Sequence, residues 1–317
     1  MNYFIFNYET DKQLIDSFLE SASLAHKIPQ KTKEWFLWKF RDNPYGEAIL
    51  ACAEEDEKIV GCVAYGMQPF WLKGEKREAV LSFETFVHPQ YQGKGIFSNL
   101  IELGEKEVIS KKIDFMLNFP NSNSLRGFLK KGWKSIDNPD YWIKGRNVYT
   151  IPLGFKYLKK GFHPNQSNLT NLILPMDFIQ SPKKQLTSVI TPEYLKWRFF
   201  TYPVSEYRVI ENENFHAVIR VGKRGNLNEG QVLFMNEKNK ASFKMNSFLK
   251  LCKSKFQYDI LSFSISKNNP IRKNLLNHFF IKVPNQANIC YKIIDDKKIT
   301  RGDIENLSLS AINYHTY

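Results

Sequence analysis

A carboxylate and an imidazole, Glu84 and His88, stand on one short stretch, Glu84-Thr-Phe-Val-His-Pro-Gln-Tyr-Gln-Gly-Lys-Gly-Ile-Phe97. Either group can move protons if its surroundings tune it. Two glycines, Gly93 and Gly95, follow with Lys94 between them. An apolar run from Ala79 to Val87 leads in, and Ile96, Phe97, Leu100, Ile101 and Val108 lead out near helical spacing. Strand, glycine loop and helix together make a phosphate site. The glycines let the backbone come close, and the loop N–H groups and the helix N-terminus face the anion. Lys94 adds charge to that cradle. The spacing excludes two common versions of the device. Gly-x4-Gly-Lys-Ser/Thr is absent, and Ser98 stands where a dinucleotide fingerprint needs its third glycine.

The elements that must position this stretch read as follows. Residues 1–8 suit a strand, Asp11 to Leu24 a helix, and Lys33 to Phe40 a short amphipathic helix stopped by Asn43-Pro44-Tyr-Gly46. Ala48 to Ala53 and Lys58 to Tyr65 form a hairpin around a charged turn. Phe70 and Trp71 look exposed between two strands. After the Ile96 to Ile109 helix come a strand, Ile113 to Phe119, and a helix, Ser122 to Lys131, that Gly132 caps.

Gln90-Tyr-Gln-Gly93-Lys-Gly95, preceded by Val87-His-Pro89, resembles the acyl-CoA loop of the GNAT family (Gcn5-related N-acetyltransferases). Asn118-Phe-Pro-Asn121 through Phe128 to Gly132-Trp133 is similar to that family's second conserved block. The resemblance is clear over residues 30–150. It implies that the amides of Gln92, Gly93, Lys94, Gly95, Ile96 and Phe97 hold the CoA pyrophosphate. It places the pantetheine where two parallel strands splay, beside Phe86, Val87, Asn121, Ser124 and Phe128. Acyl-CoA enters as a co-substrate, and nothing is permanently bound. The N–H groups of Phe86 and Val87 are the implied oxyanion donors. Glu84 takes the amine proton, directly or through water, or is a structural carboxylate. His88 is the second candidate base, or ends the strand with Pro89. Many members place a tyrosine where Phe128 stands, and a phenylalanine has no proton to give the leaving thiolate. Water, Ser122 or Ser124 serves instead, or the thiolate leaves unassisted.

The second half repeats the first. Trp38-Lys-Phe40 returns as Trp197-Arg-Phe199, and Leu125-Arg126 with Trp133 returns as Ile271-Arg272 with Phe279. The spacing between anchors shortens in the second copy, which locates an insertion at Gly66 to Lys76 of the first. Asn236 to Ala241 falls opposite the glycine loop and contains no glycine. The expected fold is α/β with mixed sheets: two tandem GNAT-like domains, residues 1–150 binding acyl-CoA and residues 151–317 degenerate and contributing to the acceptor site.

The net charge of +13 suits acidic partners or a lysine-rich surface. No helix-turn-helix pair or RNP motif points to nucleic acid. No signal peptide is evident, and no apolar run reaches membrane length. Cys52, Cys62, Cys252 and Cys290 lack Cys-x-x-Cys spacing and read as reduced thiols of a cytoplasmic protein. The histidines are dispersed, so no metal site is expected. Tandem chains of this kind look like bacterial enzymes that acylate nucleotide-linked (dTDP-) amino sugars for surface polysaccharide such as O-antigen. Phe70, Trp71 or Tyr314 would then stack on base or sugar. Aminoglycoside or peptide acyltransferases, and a non-catalytic acyl-CoA-binding module, are the alternatives. The tail from Arg301 to Tyr317 reads as solvated, or folds back to line the acceptor pocket.

Overall fold

The computed structural model describes residues 1–147, 150, 156, 160–165, 183–201, 205–238, 243–283 and 287–313. In chain order these form β1 (Asn2–Ile5), α1 (Ile15–His26), α2 (Lys33–Phe36), β2 (Ile49–Glu55), β3 (Lys58–Met67), β4 (Phe70–Leu72), β5 (Glu75–Arg77), β6 (Ala79–Val87), α3 (Ile96–Ser110), β7 (Phe115–Asn118), α4 (Ser122–Lys130), β8 (Lys134–Ile136) and β9 (Asp140–Gly145). They continue with β10 (Phe162–Pro164), β11 (Thr187–Ser188), α5 (Pro192–Lys196), β12 (Glu206–Asn212), β13 (Phe215–Arg224), β14 (Leu227–Glu237), α6 (Met245–Lys255), β15 (Ile260–Ile265), α7 (Arg272–Asn277), β16 (Ile281–Val283), β17 (Ile289–Ile293) and α8 (Arg301–Glu305). Among the described residues, no helix is long and apolar enough to cross a membrane.

The chain divides into two compact units. One is Met1–Asp137 with Gln180–Trp197 and Ala287–Asn306; the other is Asn138–Ile179 with Arg198–Gln286 and Leu307–Tyr317. A single cut near residue 150 therefore does not separate them. The reason is that each repeat gives one strand to the other's sheet. The first sheet runs β1-β2-β3-β6-β7-β17-β8, and the second runs β10-β13-β14-β15-β9-β16 with β12 beside β13. Matched strand for strand, β17 takes the place in the first sheet that β9 takes in the second. In both, the third and fourth matched strands are parallel (β6 with β7, β14 with β15) and the remaining pairs antiparallel.

The cores follow from this exchange. Cys290 on β17 packs with Val63, Tyr65, Leu100, Phe128 and Trp133 in the first unit, and Trp142 on β9 packs with Phe215, Phe248 and Phe263 in the second. On its other face the first unit buries Phe18, Phe36 and Phe40 in edge-on contact, with centroids 4.9–5.5 Å apart. Each such burial contributes about 1.5–3 kcal/mol.

The repeat anchors are structural. α2 runs into a π-helical turn, Leu37–Arg41, and α5 into another, Trp197–Thr201. Trp38 Nε1 donates to Trp197 O at 2.9 Å and Trp197 Nε1 donates to Trp38 O at 2.8 Å. The second anchor shifts by one residue from its sequence reading. Gly132 and Phe279 both have left-handed backbones (φ 83° and 58°), and Trp133 N and Phe280 N bond Phe128 O and Leu275 O. Phe279 thus matches Gly132, and Phe280 matches Trp133. The insertion is the β4–β5 hairpin between β3 and β6, whereas a tight turn at Gly225 joins β13 to β14. The described part of the segment after Arg301, through Asn313, is not a solvated tail. Thr300 and Asp303 cap α8 reciprocally, and Leu307, Leu309, Ile312 and Asn313 are buried.

Candidate functional site

β6 and β7 pair only from Ala79–Ser82 against Phe115–Asn118; beyond that the strands carry no shared register. Across β6, the ladder to β3 pairs Phe83 with Ala64 and Phe86 with Cys62, so Glu84 and Thr85 bulge opposite Val63. Glu84 sits at φ 45°, a left-handed backbone that costs a non-glycine residue of order 1–3 kcal/mol. The bulge turns the end of β6. His88 N donates to Val60 O on β3 at 2.8 Å. Strand alternation turns the Phe86 N–H to that same side and the Val87 N–H to the opposite side, where β6 has no strand partner. Of the two expected oxyanion donors, Val87 is the one this geometry offers.

The loop is built from its own residues. His88 Nδ1 accepts from Gln90 N at 3.3 Å, and the side chain of Gln92 donates to Val87 O at 3.2 Å. The imidazole thus caps the Pro89–Tyr91 turn and holds an acceptor nitrogen there. Gly93 and Gly95 lie at φ 79° and 78°, and a Cβ added at either meets nothing within 4 Å. α3 begins after Gly95 without any side-chain cap, which leaves first-turn N–H groups facing outward. That is an open anion cradle of the kind a CoA pyrophosphate needs. Lys94 Nζ lies 4.8 Å from the centre of the Tyr91 ring. Ile96 has only its amide to give, because its side chain is buried in the core.

Several expected contacts are packing instead. Phe97 meets Phe128 edge-on at 5.4 Å, and Phe128, wholly buried, meets Trp133 at 4.9 Å. Phe128 is a core ring with no face open to pantetheine. Phe86 is also buried, edge-on to Phe18 at 5.1 Å. The side chain of Asn121 caps α4 by accepting from Asn123 N and Ser124 N, both at 3.0 Å, and Ser124 Oγ turns back to it at 3.2 Å. Phe70 is fully buried and edge-on to Phe115 at 5.2 Å, so it cannot stack on a ligand. β11 covers its hairpin by pairing Ser188 with Phe70 and Thr187 with the half-buried Trp71. Tyr314 lies outside the described residues, as do residues 239–242 opposite the glycine loop.

The structure adds residues that sequence reading missed. Lys39 Nζ lies 2.5 Å from Glu84 Oε1, and His26 Nε2 lies 3.8 Å from Glu84 Oε2. Lys39 sits over the rings of Trp35 (4.9 Å) and Phe83 (5.3 Å). The available signal was its place inside the Trp38-Lys-Phe40 anchor, whose counterpart is the buried Arg198. In the second unit the bulge between Val218 and Ile219 leaves Leu233 as the extra residue, with no carboxylate. Cys62, opposite Phe86, is no nucleophile: burial pushes its thiol well above the usual range, and Cys52 adds to this. Among the described residues no three His, Cys, Asp or Glu side chains gather as metal ligands would.

Residues 12–133 match the family described as Acetyltransferase (GNAT) family. A comparison with curated protein sequences finds no match. Among solved structures, a GCN5-related N-acetyltransferase from Anabaena variabilis is similar at TM-score 0.62 and 10% identity, over 92% of this chain and 73% of that one. Eis1 from Mycobacterium abscessus is similar at 0.58 and 10%, over 94% and 75%. N-myristoyltransferase from Saccharomyces cerevisiae, with bound myristoyl-CoA, is similar at 0.52 and 12%, over 93% and 78%. Residues 12–133 thus match the GNAT acetyltransferase family, and the chain shares the fold of these structures along nearly its whole length.

Proposed function

We propose that the chain moves an acetyl or short hydroxyacyl group from CoA to the amine of a nucleotide-linked amino sugar, by direct attack in a ternary complex. The observation that carries the transfer is the uncapped start of α3 behind Gly93 and Gly95, at the open end of β6. A diphosphate held there directs its thioester along the gap beside Val87. The neutral amine attacks the carbonyl carbon, and a C–N bond forms. The Val87 N–H faces the developing oxyanion, and such preorganised donors contribute strongly. Collapse breaks the C–S bond and releases the CoA thiolate. Glu84, at the bulge, accepts the amine proton through its unshared lone pairs or an intervening water. Phe128 gives no proton, so the thiolate leaves unassisted or takes one from water.

The amino sugar is supported by the sequence resemblance and by the basic surplus, which suits a second diphosphate. A peptide amine is the second reading, favoured by the likeness in fold to N-myristoyltransferase. Thiol release from acetyl-CoA, followed with a panel of dTDP- and UDP-amino sugars, aminoglycosides and peptides, tests both. Turnover confined to peptides or aminoglycosides would overturn the sugar; no binding of any acyl-CoA would overturn the transfer.

A further inference from the structure

Strand β17 of the first unit carries Lys292, whose Nζ donates to Lys131 O (2.9 Å) and pairs with Glu105 Oε2 (2.6 Å) on α3. Glu102, one turn earlier, pairs with Lys131. Strand β9 of the second unit carries Lys144 in the matching place, and its Nζ donates to His278 O (2.8 Å) at the end of α7. The helix alongside is α6, whose buried Phe248, Leu249 and Cys252 correspond to Leu100, Ile101 and Gly104 of α3. That register puts Lys250 and Lys253 where the first unit has Glu102 and Glu105. Both acids have become lysines, and among the described residues none of the three cations has a carboxylate partner. Burial, and the facing Lys253, hold the Lys144 ammonium below the ordinary lysine range.

These groups surround a groove of about 510 Å³, lined by Lys144, Lys250, Lys253, Asn246, His278 and Phe279 among others. That is a small-molecule volume. Phe279 is 82% exposed and holds φ 58°, where the first unit has a glycine. The left-handed backbone costs it about 1 kcal/mol, and a residue this exposed gains little from burial to offset the strain. Lys144 Nζ lies 6.0 Å from that ring.

We propose that this groove binds a nucleoside polyphosphate, its phosphates held by Lys144, Lys250 and Lys253 and its base stacked on Phe279. The cations converge on one groove instead of running in a stripe, which suits a small phosphate ester and not a polymer. A flat, bare ring at its mouth suits a planar base.

Calorimetric titration of the full chain with ATP tests this. One site is expected, weakened at least tenfold by Lys253→Glu and at least threefold by Phe279→Gly, with Lys253→Arg close to the parent. Lys253→Glu gives Lys144 the partner that Glu105 gives Lys292, so its thermal midpoint should hold or rise and a loss of binding is not misfolding. Acetyl-CoA affinity should be unchanged in every variant, which separates this groove from the glycine loop of the first unit. The proposal is overturned if ATP does not bind, if Lys253→Glu binds it normally, if pyrophosphate binds as tightly as ATP, or if a single-stranded oligonucleotide binds in place of ATP and is lost with Lys253→Glu.

Discussion

Lys39 Nζ lies 2.5 Å from Glu84 Oε1, and the two side chains are only 6% and 13% exposed. The pair joins the π-helical turn after α2 to the bulge in β6, where Glu84 has a left-handed backbone. Glu84→Gln keeps the shape and one acceptor oxygen but loses the charge. If Glu84 takes the amine proton, kcat should fall by about 100-fold or more while the acyl-CoA KM stays within a factor of two. An unchanged kcat would make Glu84 structural. Lys39→Met leaves the buried carboxylate with only the longer contact to His26, 3.8 Å away, and should lower stability by about 3 kcal/mol, read from urea unfolding.

Gly95→Ala tests the cradle. The added methyl meets no protein atom, so its costs are the left-handed backbone at φ 78° and its intrusion where a ligand would lie. Stability should fall by about 1 kcal/mol. Acyl-CoA affinity should fall by more than that strain accounts for, tenfold or greater by calorimetry, with the amine KM little changed. Equal affinity would mean that the diphosphate sits elsewhere.

The glycine loop is legible in the sequence because local chemistry decides it: Gly93 and Gly95 adopt angles few other residues tolerate, and α3 follows at its own period. The bulge is not legible, because nothing in Glu84's neighbours demands φ 45°, and the groups that meet its carboxylate there, Lys39 and His26, are distant in the chain. Lys39 looks like the polar face of a short helix, yet the rings of Trp35 and Phe83 enclose it. Phe70 reads as exposed because polar residues flank its hairpin, and the strand that covers it comes from residues 187–188. The strand exchange is equally hidden. β9 and β17 have similar patterns, and only the completed sheets show which belongs where.

Phe128→Tyr is the substitution the family pattern suggests, and it should not improve the enzyme. The ring is wholly buried and meets Phe97 and Trp133 edge-on, so a hydroxyl added there must be fitted into a closed core. A buried hydroxyl without a partner costs about 1–3 kcal/mol. The expected result is a lower thermal midpoint and no rise in kcat at any pH. A rise in kcat with a new basic limb in the pH profile would show that the ring reaches the thiolate.

All four cysteines are buried. Burial pushes the Cys290 thiol up to about 12, and holds Cys62 and Cys252 above the usual range as well. Those three carry little thiolate at pH 8 and Cys52 is shielded by burial alone, so an aromatic disulfide reagent should label none in the folded protein within minutes and four after denaturation. Rapid labelling of one thiol would contradict the closed cores. The result also matters in practice, because released CoA can then be read without background from the protein.

Glu105 accepts from Trp133 Nε1 at 2.7 Å through one oxygen and from Lys292 at 2.6 Å through the other. It therefore fastens β17, the strand the second repeat contributes, to α3 and to the end of α4. Glu105→Leu removes both acceptors and leaves a half-buried ammonium and an indole N–H without them. The loss should be about 3 kcal/mol, the range for breaking one side of a buried ion pair. Lys292→Met alone should cost less, because Glu105 keeps the indole. Lys292→Met combined with Glu105→Leu should recover part of the deficit, since two apolar side chains of similar reach can pack where the pair stood. Additive losses in the double variant would mean that the two residues act separately and that the strand is held by its ladder alone.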